Sequence, residues 1–198
     1  KIDNKGGVKG YSKAEYIKDS KSLLEMECDI LIPAAMEAVI NQGNANKIKA
    51  KLIAEAANGP VTFAAETILR EKGITIIPDV YLNAGGVTVS YFEWIKNLSH
   101  IRFGRMNRRY EEGQSELLIK AIEATGGKVP QGLVDKLSQG ADEIALVRSG
   151  LDDTMRKAFQ DIRERYWSKN NIDNYRTAAM AIAIEKIYTS YRTMGIYP

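Results

Sequence analysis

Ile74-Thr75-Ile76-Ile77-Pro78-Asp79 is a short apolar run stopped by a proline. Proline has no N–H for a neighbouring strand, so a strand of this kind ends where the proline stands. Continuous β-branched residues predict a strand buried on both faces, as in a parallel sheet. The same grammar occurs twice upstream. Cys28-Asp29-Ile30-Leu31-Ile32-Pro33 is a second apolar run closed by proline. Ala50-Lys51-Leu52-Ile53-Ala54-Glu55 is a third, followed by the turn-forming Asn58-Gly59-Pro60. Helical patterns lie around and between them, at Lys13 to Glu25, Ala35 to Ile40 and Val61 to Lys72. Thr62 is a candidate cap for the last of these, and Gly73 its stop. Strand, helix and strand with short connections give the βαβ signature of an open parallel sheet.

Beyond Gly85-Gly86 the pattern turns wholly helical. Val87 to Leu98 and Tyr110 to Ala124 read as helices, and the break Gly126-Gly127-Lys128-Val129-Pro130 follows. Val134 to Leu137 is too short to assign. Ala141 to Trp167 is a long helical run interrupted at Gly150, and Tyr175 to Tyr191 is the last. In that last run Ala178, Ala179, Ala181, Ile182, Ile184, Ile187 and Tyr188 give a broad apolar face. The expected fold is therefore α/β: the second half of a Rossmann-like parallel sheet, then a helical tail. The first half of such a sheet normally carries a glycine-rich phosphate turn. No G-x-G-x-x-G follows a strand here, and Gly6-Gly7-Val8-Lys9-Gly10 reads as a loop.

Composition excludes several classes. The 198 residues are 44% hydrophobic and 27% charged, an ordinary globular profile. The net charge of +3 comes from interleaved acids and bases, too little to argue for nucleic acid. No apolar run is long enough for a membrane span. One cysteine, Cys28, and one histidine, His100, leave no internal disulfide and no thiolate or histidine-rich metal site. The stretch from Lys1 to Lys13 has no apolar h-region and is not read as a signal peptide. A start at Lys1 without methionine suggests an internal starting point, with a short protein stripped of its initiator as the alternative.

In an open parallel sheet, ligands bind where the strands end. Each run here ends in a small or polar cluster: Pro33-Ala34-Ala35, Ala56-Ala57-Asn58-Gly59 and Asn83-Ala84-Gly85-Gly86. Small residues let a flat ring approach the backbone, and asparagine offers both donor and acceptor to an amide or an amino acid. Gly85 and Gly86 open a helix whose N–H groups and dipole favour an anion. Ser90 lies about one turn inside it, placed either to meet a carboxylate or to bond the carbonyl four residues earlier.

Three stretches together resemble glutamate dehydrogenase: Asp29 to Ala35, Glu55 to Pro60, and above all Pro78 through Asn83-Ala84-Gly85-Gly86 to Trp94. The similarity runs on through Arg148-Ser149-Gly150-Leu151 and Tyr175-Arg176-Thr177-Ala178-Ala179. It implies part of a dinucleotide-binding domain over residues 1–100, an antenna-like insertion over 101–145, and pivot and packing helices over 146–198. It further implies that Ala34 and Ala35 line NAD or NADP, and that Asn83 lies near the nicotinamide carboxamide. Asn58 matches a side chain near both the nicotinamide ribose and the substrate's α-carboxylate. Val87 and Ser90 match the wall and hydroxyl that meet the side chain and γ-carboxylate of glutamate. Assembly as a homo-hexamer and residence in the mitochondrial matrix, with the cytoplasm as alternative, are also implied.

The resemblance has gaps. That family's catalytic lysine and aspartate lie in an N-terminal substrate domain without counterpart in these residues, so the chain alone is expected to be inactive. Ala56 stands where a glycine is expected. In antenna-bearing animal enzymes a histidine and a lysine touch GTP; Arg148 and Ile144 match them, and Ile144 has no group for a phosphate. Arg102, Arg105, Arg108 and Arg109 read as a solvated basic face. A non-catalytic structural or regulatory relative is the competing class, against which the retained Asn58, Asn83 and Ser90 argue. Another amino-acid dehydrogenase is the third, disfavoured by Ser90.

Overall fold

The computed structural model describes residues 9–99, 105–138, 143–168 and 171–195. Gly6, Gly7, Val8, His100, Arg102, Gly140 and Ala141 lie outside them. Three parallel strands, β1 (Ile30–Leu31), β2 (Leu52–Ala54) and β3 (Thr75–Ile77), pair in the order of the chain. Ile30 stands opposite Leu52, and Ile53 opposite Ile76. The strands are shorter than the apolar runs that contain them. Single hydrogen bonds extend the ladder beyond them, from Leu52 N to Asp29 O (3.1 Å) and from Glu55 N to Ile77 O (3.1 Å).

Helix α2 (Phe63–Glu71) crosses from β2 to β3. Thr62 caps it by accepting from Ala65 N, and Gly73 ends it at φ 77, as the sequence indicates. Its Leu69 and Ala65 join Ile40, Ile48, Ile53, Val61 and Ile76 in one apolar core. The Lys72 ammonium donates to Asn46 O (2.8 Å) and Ile48 O (2.7 Å), answering carbonyls at the end of the single 3₁₀ turn Ala45–Lys47.

Two expected helices differ. Ala35 to Ile40 is not helical: Ala38 N donates to Gly59 O (2.8 Å), Ile40 N donates to Pro60 O (2.9 Å), and Ile40 bridges Val61. These bonds draw the segment alongside the chain leaving β2, overriding the helix preference of alanine. Ala38 sits at φ 51, the left-handed region. Of Lys13 to Glu25 only α1 (Ser20–Leu24) is helical, capped by Asp19, and none of its residues is buried. A helix with no face to bury gains too little to propagate.

The helical tail comprises α3 (Asp79–Leu82), α4 (Ala84–Ser99), α5 (Arg105–Ala124), α6 (Gln131–Ser138), α7 (Glu143–Ser168) and α8 (Tyr175–Met194). By its internal contacts the chain divides into two compact units. The first joins the part up to Asn83 with the part from Arg165 onward. It holds the sheet, α2, α3 and α8, which packs on β3 and α3. Of the apolar face expected on α8, Ala178 and Ala179 are buried, while Ile184, Ile187 and Tyr188 stay exposed.

The second unit spans Ala84–Glu164. There α7 runs unbroken through Gly150, contrary to the expected interruption. A Cβ at Gly150 would meet the Phe92 ring at 3.3 Å, so glycine serves close packing of α7 on α4. The stretch after the glycine break, unassigned around Val134 to Leu137 in the sequence, is helix α6, which folds back on α5. Leu133 N and Val134 N donate to Pro130 O, starting α6 directly after the glycine turn. Eight residues proved too few to betray a period in the sequence. Arg108 pairs with Glu112 one turn on (2.7 Å), as a solvated face would.

Ile53, fully buried at the centre of β2, sets the first test: Ile53→Ala is expected to cost about 2–5 kcal/mol in urea unfolding. Gly73→Ala should cost only about 1 kcal/mol, since its Cβ would meet nothing within 4 Å and only the left-handed backbone resists it.

Candidate functional site

Because the three strands are parallel, their C-terminal ends lie along one edge. Ala34 and Ala35 leave β1 after the buried Pro33 and are exposed. Ala56 N and Ala57 N both donate to Pro33 O (3.1 and 2.9 Å), tying the end of β2 to the end of β1. Asn58 follows, exposed on the tip of that loop, with Gly59 at φ 52 behind it. From the end of β3, α3 leads to Asn83, whose Nδ2 donates to Asn58 Oδ1. The structure thus brings together four of the residues singled out in the sequence: Ala34, Ala35, Asn58 and Asn83. The contact between the two asparagines leaves a donor on Asn58 and an acceptor on Asn83, the complement of a carboxamide.

Val87 and Ser90 lie three residues apart, and so on one face of α4, and both are exposed. Ser90 Oγ donates to Gly86 O (3.1 Å), the local bond that serine commonly makes in a helix. Ile144 and Arg148 are exposed on α7. Among the described residues no cluster of acids, histidines or cysteines could hold a metal ion.

Beneath the asparagines lies a network that the sequence did not reveal. Arg176 on α8 donates through Nε to Glu66 Oε2 (2.8 Å), through Nη1 to Asp79 Oδ1 (2.6 Å) and through Nη2 to Glu55 Oε2. Asp79 N donates to the same Glu55 oxygen (2.8 Å), and Gly59 N donates to Asp79 Oδ2 (2.7 Å). Glu55 is wholly buried, and its Oε1 has no hydrogen-bond partner among the described residues. Burial raises the Glu55 carboxyl above the ordinary 4.5, although the Asp79 N–H and Arg176 pull the other way. Burial also pushes Asp79 up, but the Gly59 N–H, Arg176 and the Val80 N–H together outweigh it, and it rests below the ordinary 3.8. The Arg176 guanidinium, with carboxylates on every side, is held above its usual range despite burial. The signal available in sequence was Glu55 and Asp79 just after two of the strands, Glu66 within α2 and Arg176 at the head of α8, with nothing to pair them.

A cleft of about 680 Å³, lined by Arg70, Tyr166, Asp173 and Tyr175, opens instead beside Ile74 and Thr75, where β3 begins. It lies at the opposite end of that strand from the asparagines.

Comparison with known proteins gives this edge its context. The profile of the Glutamate/Leucine/Phenylalanine/Valine dehydrogenase family matches residues 1–149. The chain belongs to that family. It is 52% identical over 183 residues to the mitochondrial glutamate dehydrogenase of Dictyostelium discoideum, covering 92% of this chain and 36% of the relative. The crystal structure of a glutamate dehydrogenase from Peptoniphilus asaccharolyticus matches 84% of this chain and 32% of its own, at 30% identity and a TM-score of 0.57. A hetero-hexameric glutamate dehydrogenase from Thermus thermophilus shares the fold at 21% identity and a TM-score of 0.64, over 90% of this chain and 33% of its own. The chain of this dehydrogenase-family member therefore spans about a third of the length of these relatives. Its sheet and helices are a Rossmann-like part of their fold, and the family brings with it a nicotinamide cofactor. No helix among the described residues is long and apolar enough to cross a membrane.

The network makes a pH forecast. With its folded value below 3.8, Asp79 releases its proton more readily folded than unfolded. Between those two values the unfolded chain binds more protons, so stability rises with pH. The contribution is complete above 3.8 and is lost as pH falls through the folded value. Glu55, raised, has the opposite sign and acts above 4.5. Asp79→Asn is expected to flatten the acid side of a plot of Tm against pH below 3.8; an unchanged slope there would show that Asp79 does not carry it.

Proposed function

We propose that these residues form the C-terminal part of a glutamate dehydrogenase, which deaminates L-glutamate oxidatively to 2-oxoglutarate and ammonia with NAD or NADP. The observation that carries this reading is the hydrogen bond between Asn58 and Asn83 at the ends of adjacent parallel strands, in a chain of the amino-acid dehydrogenase family. When bound, the nicotinamide cofactor supplies the hydride acceptor. Asn83 is assigned to its carboxamide, Asn58 to its ribose and to the α-carboxylate of glutamate, and Ala34 and Ala35 to close contact with the dinucleotide. The exposed alanines and the unused amide donor and acceptor suit that group. Val87 is assigned to the wall beside the substrate side chain and Ser90 to the γ-carboxylate.

In this reading residues 1–100 belong to the dinucleotide-binding domain, 101–145 to an antenna-like insertion and 146–198 to pivot and packing helices. The acid–base lysine and aspartate come from an N-terminal substrate domain, and the assembled enzyme is a homo-hexamer. The mitochondrial name of the Dictyostelium relative supports the mitochondrial matrix, with the cytoplasm as the alternative. A carboxylate bound at Ser90 would take over the hydroxyl proton now given to Gly86 O. One acceptor is exchanged for another, so the gain is the difference between a charge-assisted bond and a neutral one.

Ser90→Ala in the native polypeptide carrying these residues is accordingly expected to lower kcat/KM for glutamate about tenfold, equivalent to about 1.4 kcal/mol. Norvaline, which lacks the γ-carboxylate, should lose little. An unchanged preference for glutamate over norvaline would remove Ser90 from the site, and a native polypeptide unable to reduce NAD or NADP with glutamate would overturn the function itself.

A further inference from the structure

The guanidinium of Arg176 is hydrogen-bonded to neither asparagine, yet one chain of hydrogen bonds leads from the elements carrying both back to it. Asn58 sits on the loop 56–60, and the N–H of the next residue, Gly59, is held by Asp79 Oδ2 at 2.7 Å. Asn83 sits at the far end of α3, and the first residue of that helix is Asp79. Asp79 is fixed twice, by its side chain on Arg176 Nη1 (2.6 Å) and by its own N–H on Glu55 Oε2 (2.8 Å). That Glu55 oxygen also accepts from Arg176 Nη2. The third donor, Nε, anchors the guanidinium to Glu66 on α2 at 2.8 Å. One planar fork therefore sets the end of β2, the end of β3 and α2 in fixed relation.

We propose that Arg176 is a positioning residue for the cofactor end of the site: its grip on Asp79 and Glu55 sets the separation of Asn58 and Asn83. The inference rests on the assignment of those asparagines to the nicotinamide. A purely architectural Arg176, joining α8 to the sheet, makes a different forecast. Its loss would lower Tm and leave the kinetics of the folded enzyme unchanged.

Arg176→Lys separates the two. Lysine keeps the charge but presents one ammonium where the fork reached three carboxylates. In the native polypeptide the KM for the nicotinamide cofactor is expected to rise at least about tenfold while kcat falls by less than about threefold, because a binding interaction common to ground and transition states is loosened. Hydrogen–deuterium exchange should quicken at the Gly59 amide. A lower Tm with unchanged KM and unchanged exchange overturns the proposal. If Arg176→Lys does not fold, Asp79→Asn takes its place, with the same rise in KM expected and an unchanged KM overturning it. If the native polypeptide has no glutamate-dependent activity, the functional reading falls, and exchange alone decides: faster at Gly59 in the variant upholds the positioning, unaltered rejects it.

Discussion

A carboxylate taken fully out of water is costly unless its charge and lone pairs are answered, and Glu55 is such a group. It stands directly after β2, where the chain turns from core to edge. One of its oxygens takes both the Asp79 N–H and the Arg176 guanidinium. That answer requires Asp79 at the head of α3 and Arg176 on α8 to converge, so a C-terminal helix is drawn onto the ends of the sheet. The helix contributes little apolar area there beyond Ala178 and Ala179. Its registration on the sheet is polar, through one guanidinium with carboxylates on three sides.

Much of the sheet was legible because its cause is local. Runs such as Thr75-Ile76-Ile77 closed by Pro78 carry their strand signal within six residues, and Thr62 and Gly73 bracket α2 with capping chemistry that needs no tertiary partner. What failed depended on distant groups. Ala35 to Ile40 has helical composition, but the carbonyls of Gly59 and Pro60 claim its N–H groups. Gly150 looked like a break because its reason, the Phe92 ring, lies far away in sequence. The segment before Ser20 has helical periodicity without anything to pack on, and periodicity alone does not hold a short helix in water.

The candidate site divides in the same way. Asn58, Asn83, Ala34 and Ala35 follow from one rule about strand ends, and parallel pairing alone suffices to set them on one edge. Ser90 was open to two readings, and the structure displays the local one, a hydroxyl given to Gly86 O. Arg176 could not have been found from pattern, since its three partners come from different turns of the chain and no periodicity links them.

Those separations have a temporal meaning. Arg176 is 121 residues from Glu55, 110 from Glu66 and 97 from Asp79 along the chain. Contacts so distant close late, because loop entropy must be overcome before they contribute. A ribosome adding about 5–20 residues per second exposes the sheet well before α8 is made. During that interval Glu55 lacks the guanidinium that answers its charge in the folded protein. Synthesis of α8 therefore completes the network, because only then is the guanidinium that joins Glu55, Glu66 and Asp79 available.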